Sequence, residues 1–264
     1  GTEQMISTVT QALSTLTSAV EGYEGDVLLI AGDALLVLFD GADHAERAHA
    51  AAKDAKTALA RIARVQTQAG TVVLKVSQGL ASGEVLLVDA GTELRALLPF
   101  GQTMVAALDA QKKAGPGEIL VADPIPSAIA RYRGSADRPP RDPSPYIPDA
   151  VRDGLPSIAY DHEHRIVDTA FVTYADLGNS PAMISRQATA LIDRVQRACH
   201  THGVTVTCVE PTGHGLRFML TAGAPAAHEN GTDALLSTVT YLLGESGVSP
   251  TAGMTHGLAF AGVM

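Results

Sequence analysis

The chain has 264 residues, enough for one large domain or two small ones, and 46% of them are apolar, ample for a packed core. Aromatics make up only 4% and Trp is absent, so aliphatic side chains and alanine must do the packing. A formal net charge of -9 without a basic run argues against a nucleic-acid or membrane surface as the main partner, and leaves room for a nucleotide held through a metal ion.

In chain order, Ile6, Val9, Leu13, Leu16 and Val20 recur at helical steps and predict a helix over 4–22. Two apolar strands follow, 26–31 and 34–39, with Gly32-Asp33 as the turn between them. The Ala-rich stretch after it predicts a helix over 43–66, since alanine is the best helix former. Strands are expected at 72–79 and 84–88, then a helix near 102–113 and a short strand in "EILVA". Between Pro124 and Pro156 lie eight of the fourteen prolines, with "DRPPRDPSP" at the centre. Proline lacks the backbone N–H and restricts the residue before it, so this stretch reads as a linker over 134–164, without helix or central strand. The acidic and histidine-rich "DHEH" at its end, 161–164, reads as solvated loop rather than as a metal cluster.

Beyond the linker the pattern gives a strand at 166–174, a helix at 182–201, strands at 204–209 and 216–221 around a turn at 211–215, a helix at 231–244, and strands at 251–254 and 257–261. Cys199 and Cys208 lack metal-type spacing and read as small core residues. The sequence shows no signal-peptide pattern and no apolar run of transmembrane length, and the expected location is the cytoplasm.

The two sides repeat each other. "AGDALLVLFDG" faces "TGHGLRFMLTAG", each with a Gly-containing turn between apolar strands. "GLASGEVLLV" faces "GMTHGLAFAG", which pairs Gly79 with Gly253 and Gly83 with Gly257. With a leading strand, each repeat becomes the split β-α-β-β-α-β pattern. The second half shows that strand in "VDTAFVTYADL"; the first half lacks it, and the chain is expected to be a segment of a longer protein.

Both halves resemble class III nucleotidyl cyclase homology domains, in the tandem arrangement of soluble adenylyl cyclases and related bacterial modules. "GDVLLIAGDALLVLF" and "RALLPFGQTMVAALDAQKKAGPGEILVAD" are similar to the first domain of that group, and "FMLTAGAPAAHE" and "GMTHGLAFAG" to the second. The resemblance covers nearly the whole chain. It implies an α+β fold of two ferredoxin-like (βαββαβ) domains, 1–133 and 165–264, paired head to tail as an intrachain pseudo-dimer. It also implies conversion of ATP, or GTP, to a cyclic nucleotide and pyrophosphate with two divalent ions, Mg²⁺ or Mn²⁺.

In such a site two aspartates hold the metals, and Asp33 matches the second of them; the first would precede Gly1. The competing reading of Asp33 is a plain turn residue. In the second half the matching position is His214. Asp176 falls near the place of the first aspartate there, with a strand-end or helix-cap carboxylate as the alternative. The transition-state Asn and Arg of the family match Val105 and Asp109 in the first half, which cannot supply them, and in the second half they are expected beyond Met264. Glu210 matches a position that contacts the nucleotide base, against the reading of a half-exposed strand-end carboxylate. The expected partners are a nucleoside triphosphate and downstream domains of the same protein. A degenerate cyclase pair that regulates those domains is the alternative function.

Overall fold

The computed structural model describes residues 2–67, 70–122, 142–158, 163–213, 215–244 and 250–261. The fold is mixed α+β, built from small sheets, and divides into two compact units. Unit 1 takes the described residues of 2–85 and 101–122. Unit 2 takes 86–100 and those from 142 onward.

Unit 1 begins with α1 (Thr2–Glu21), which packs against α2 (His44–Ile62). The buried face of α2 is Ala51, Ala52, Ala55 and Leu59, so three alanines let the two helices approach closely. Between them run β1 (Asp26–Ala31) and β2 (Ala34–Leu38), an antiparallel hairpin. One side chain fastens this hairpin to α2. Arg47 donates from Nη1 to the carbonyls of Tyr23 and Glu24, both at 3.0 Å. It reaches the Asp40 carbonyl through Nη2 and the Asp43 carboxylate through Nε, the latter at 2.9 Å. Its guanidinium lies 5.9 Å from the centre of the Phe39 ring. Arg47→Ala removes four bonds, of which only the one to Tyr23 is part-buried while the others pass to water, and the expected loss is about 1–1.5 kcal/mol. A denaturant titration of the two proteins checks it, and an unchanged midpoint contradicts it.

The rest of unit 1 is β3 (Arg64–Thr67), β4 (Gly70–Val73), β5 (Gln78–Leu80), α3 (Gln102–Lys113) and β8 (Ile119–Val121). β3 and β4 form a hairpin, and β5 pairs parallel with β8. The helix expected over 43–66 therefore stops at Ile62, and the strand expected over 72–79 is two separate strands. Val65 and Thr67 are β-branched and favour the strand once a cross-strand partner is present, as Val72 and Gly70 are.

Unit 2 is organised by β9 (Glu163–Tyr174), the first strand of a four-stranded antiparallel sheet. After it come α5 (Pro181–His202), β10 (Thr205–Pro211), β11 (Leu216–Ala222), α6 (Gly231–Gly244) and β12 (Thr251–Ala261). The strand order is β10-β11-β9-β12, so the two inner strands are β11 and β9 and each helix links an inner strand to an outer one. Alternation drives this arrangement. Ala170, Val172 and Tyr174 of β9 and Leu216, Phe218 and Leu220 of β11 are fully buried against Leu191, Ile192 and Val195 of α5 and Leu235, Val239 and Leu242 of α6. Tyr174 and Phe218 meet edge to face, with ring centres 5.9 Å apart. Asp168, buried midway along β9, accepts from the Thr232 hydroxyl at 3.0 Å and pairs with His256 Nδ1 at 2.8 Å, tying α6 and β12 to the central strand.

The hairpin of β6 (Leu86–Ala90) and β7 (Ala96–Phe100) completes unit 2, although it lies in the first half of the chain. Val88, Leu98 and Phe100 join the core formed by α5 and β11. Its loop is bonded to α5: Thr92 donates from N and Oγ1 to Asp193 Oδ1 at 2.8 and 3.0 Å, and Leu94 N donates to Gln196 Oε1 at 2.9 Å. The stretch expected to be linker also carries structure, a 3-10 turn at Ser144–Tyr146 and α4 (Asp149–Ile158). Pro148 stands just ahead of α4 and accepts from the amides of Val151 and Arg152, so its missing N–H costs the helix nothing. Tyr146 donates to Asp89 of β6 at 2.9 Å, and the Arg95 amide donates to the Pro145 carbonyl at 2.7 Å. Residues 134–141 of the expected linker lie outside the described residues, as do Asp161 and His162. Glu163 and His164, expected in a loop, begin β9. β12 is one continuous strand paired with β9 along its whole length, rather than the expected hairpin of 251–254 and 257–261.

Candidate functional site

β1 and β2 pair down to Ala31 opposite Ala34, which leaves Gly32 and Asp33 as a two-residue connection. Gly32 takes φ of 61°, a conformation that glycine enters without steric cost and that tight hairpins need. Asp33 is exposed at the tip. A carboxylate thus interrupts two apolar strands at the exposed tip of the hairpin, beside exposed Gly32 and Ala34.

In the second half, His214 lies outside the described residues. Asp176 follows β9 with φ of 62°, and its Oδ1 accepts from the Gly178 amide at 2.8 Å, shaping the loop that leads to α5. The cap of α5 is Ser180, whose hydroxyl accepts from the Met183 amide at 3.3 Å. Val105 and Asp109 both lie on α3, and Asp109 is exposed, 4.0 Å from Lys112.

Glu210 sits near the end of β10, directly across from Arg217 of β11. Its Oε2 accepts from Arg217 Nε at 2.9 Å and lies 2.8 Å from Nη2. The Arg217 guanidinium in turn stands 5.7 Å from the centre of the Phe171 ring, which is 43% exposed. Sequence reasoning singled out Glu210 and missed Arg217; the signal was the register of the β10–β11 hairpin, which places the two opposite each other. A Glu held by arginine has one oxygen committed before any base arrives. That weakens its fitness to read a guanine edge.

Cys208 Sγ lies 3.9 Å from Glu210 Oε1. Burial, and after it the Glu210 charge, pushes the Cys208 thiol up to about 11; burial alone pushes Cys199 to about 12. The thiolate is the reactive form. At pH 8 Cys208 is therefore expected to react with a disulfide reagent roughly 10²-fold more slowly than a free thiol of pKa ~8.5, with the rate rising about tenfold per pH unit towards 11. A stopped-flow pH series checks this; a plateau near pH 9 contradicts it.

Among the described residues, no three His, Cys, Asp or Glu side chains come together as a group that could hold a metal ion. Asp33 offers one carboxylate, and one carboxylate does not make a two-metal site. No family model matches the chain, and no curated protein does.

Proposed function

We propose that the chain is a tandem of two ferredoxin-like cyclase homology domains, 1–133 and 165–264, pairing within the chain, from a class III nucleotidyl cyclase that makes cyclic AMP and pyrophosphate from ATP. The strand order of unit 2, with α5 and α6 as its two crossings, supports the architecture, because a split β-α-β-β-α-β chain gives that order. The observation that carries the function is Asp33, an exposed carboxylate at a tight turn between apolar strands. Hard divalent ions take carboxylate oxygens, and such an ion arrives bound to a triphosphate. A cytoplasmic location goes with this reading; among the described residues no helix is long and apolar enough to cross a membrane.

Two observations favour a second reading, a regulatory module that binds nucleotide without turning it over. Val105 and Asp109, on α3, are the residues that the resemblance matches to the transition-state Asn and Arg, and Glu210 is already engaged by Arg217. The experiment is a titration of the purified chain with ATP and with GTP, each with Mn²⁺, alongside an assay for cyclic product. Saturable binding, weakened roughly tenfold or more by Asp33→Ala, is expected on either reading. Residues 1–264 alone are expected to bind without forming product, since the first aspartate and the Asn and Arg are expected outside them. Cyclic product from a longer protein that carries those residues, lost in Asp33→Ala, decides for the enzyme, and binding without product in that longer protein decides for the module. Absence of binding overturns both.

A further inference from the structure

Away from Asp33, unit 1 brings together a histidine and a serine 38 positions apart. His44 opens α2, and its Nδ1 lies 2.7 Å from the Gly41 carbonyl oxygen. A carbonyl only accepts, so in the neutral ring Nδ1 carries the proton and Nε2 is bare. Nε2 lies 2.6 Å from Ser82 Oγ, so the serine hydroxyl donates to it. Nucleophile, base and orienting group therefore stand in a row, with a main-chain carbonyl in the orienting place that a carboxylate takes in Ser-His-Asp sites. Ser82 lies in the loop after β5 and is half-buried, and Gly83 beside it is exposed. The Gly83 amide makes no backbone hydrogen bond among the described residues. The amide of the residue after a nucleophile is a common donor to the oxyanion.

We propose that Ser82 is a reactive nucleophile, activated by His44, that accepts an acyl group from a small activated ester. In the first step Ser82 Oγ bonds to the ester carbonyl carbon while its proton passes to His44 Nε2. The carbonyl electron pair moves onto oxygen, beside the Gly83 amide. When that pair returns, the C–O bond to the leaving group breaks and the departing alkoxide takes the proton from His44. Water then repeats the sequence on the acyl-serine, giving the free acid and restoring the hydroxyl. The residues used are distinct from Asp33 and Glu210, so the proposal stands or falls apart from nucleotide binding.

The test treats the full chain with p-nitrophenyl acetate and with a fluorophosphonate, and maps adducts by peptide mass spectrometry. One adduct per chain at Ser82 is expected, absent in Ser82→Ala, with the rate lowered about 10²–10⁴-fold in His44→Ala. Labelling of Ser82 no faster than that of exposed Ser14, or an unchanged rate in a folded His44→Ala protein, overturns the proposal. If His44→Ala does not fold, Ser82→Cys gives the second reading. Its new thiol should be alkylated by iodoacetamide at pH 7 well ahead of Cys208, and parity with Cys208 overturns the proposal.

Discussion

Gly79→Ala is expected to unfold unit 1 or lower its stability by about 3 kcal/mol or more. A Cβ at this position would lie 2.2 Å from both the Ala107 carbonyl oxygen and the Gln111 amide nitrogen of α3. Those are helix backbone atoms and have no rotamer to move to. The helix must lift away from β5 and β8, which it covers. Overpacking with flexible neighbours typically costs about 1–3 kcal/mol, and a rigid neighbour puts this case above that range. The control is Gly253→Ala, the glycine that the sequence comparison of the two halves pairs with Gly79. A Cβ there meets nothing within 4 Å, so its expected effect is close to zero or slightly stabilising, by a few tenths of a kcal/mol. Thermal unfolding of the two variants should separate them widely. Equal melting temperatures would mean that α3 does not pack on β5 at Gly79.

Leu98→Ala is expected to cost about 2–5 kcal/mol, and to cost it in unit 2. Leu98 is 2% exposed, in the core that also holds Ile192, Val195 and Phe218. A cavity there removes contacts from α5 and β11, although Leu98 lies in the first half of the chain. Hydrogen exchange is the suitable measurement, because it resolves where protection is lost. Faster exchange across α5 and β10–β11, with α1 and α2 unchanged, is the expected pattern. Leu87, on the same hairpin but 38% exposed, is the control, and Leu87→Ala should stay within about 0.5 kcal/mol. Loss of protection centred on α1 and α2 would place the hairpin in unit 1 instead.

Much of unit 2 was legible in the sequence. Long runs with period 2 or 3.6 and clear stops gave β9, α5, β10, β11 and α6 nearly to their ends, because the pattern and the core are the same residues. The misreadings each have a local cause. The Ala-rich run carried helix propensity past Ile62, where cross-strand pairing takes over. Gly253 and Gly257 resemble turn residues, yet both sit inside a strand whose pairing with β9 never breaks. Proline density hid α4, although Pro148 stands where a helix start tolerates it. β7 contains Pro99, which argues against a central strand, and its hairpin has only two strands, so an unpaired edge is available. That this hairpin belongs with α5 was invisible, since the polar bonds from Thr92 and Leu94 to Asp193 and Gln196 span about a hundred positions.

The candidate site divides the same way. The place of Asp33 was readable because a Gly-Asp pair between two apolar runs is a hairpin tip by local rules alone. The engagement of Glu210 by Arg217 depended on cross-strand register. The His44–Ser82 pair depended on how α2 and the loop after β5 come together, which no local pattern encodes.

The most direct test of the central claim is the paramagnetic effect of Mn²⁺ on the amide resonances of unit 1 in the presence of ATP. Mn²⁺ bound with a triphosphate at the hairpin tip broadens Ala31, Gly32, Asp33 and Ala34 first and most strongly, and Asp33→Ala removes that broadening. Broadening that is absent from these four residues, or that survives in Asp33→Ala, would contradict the account.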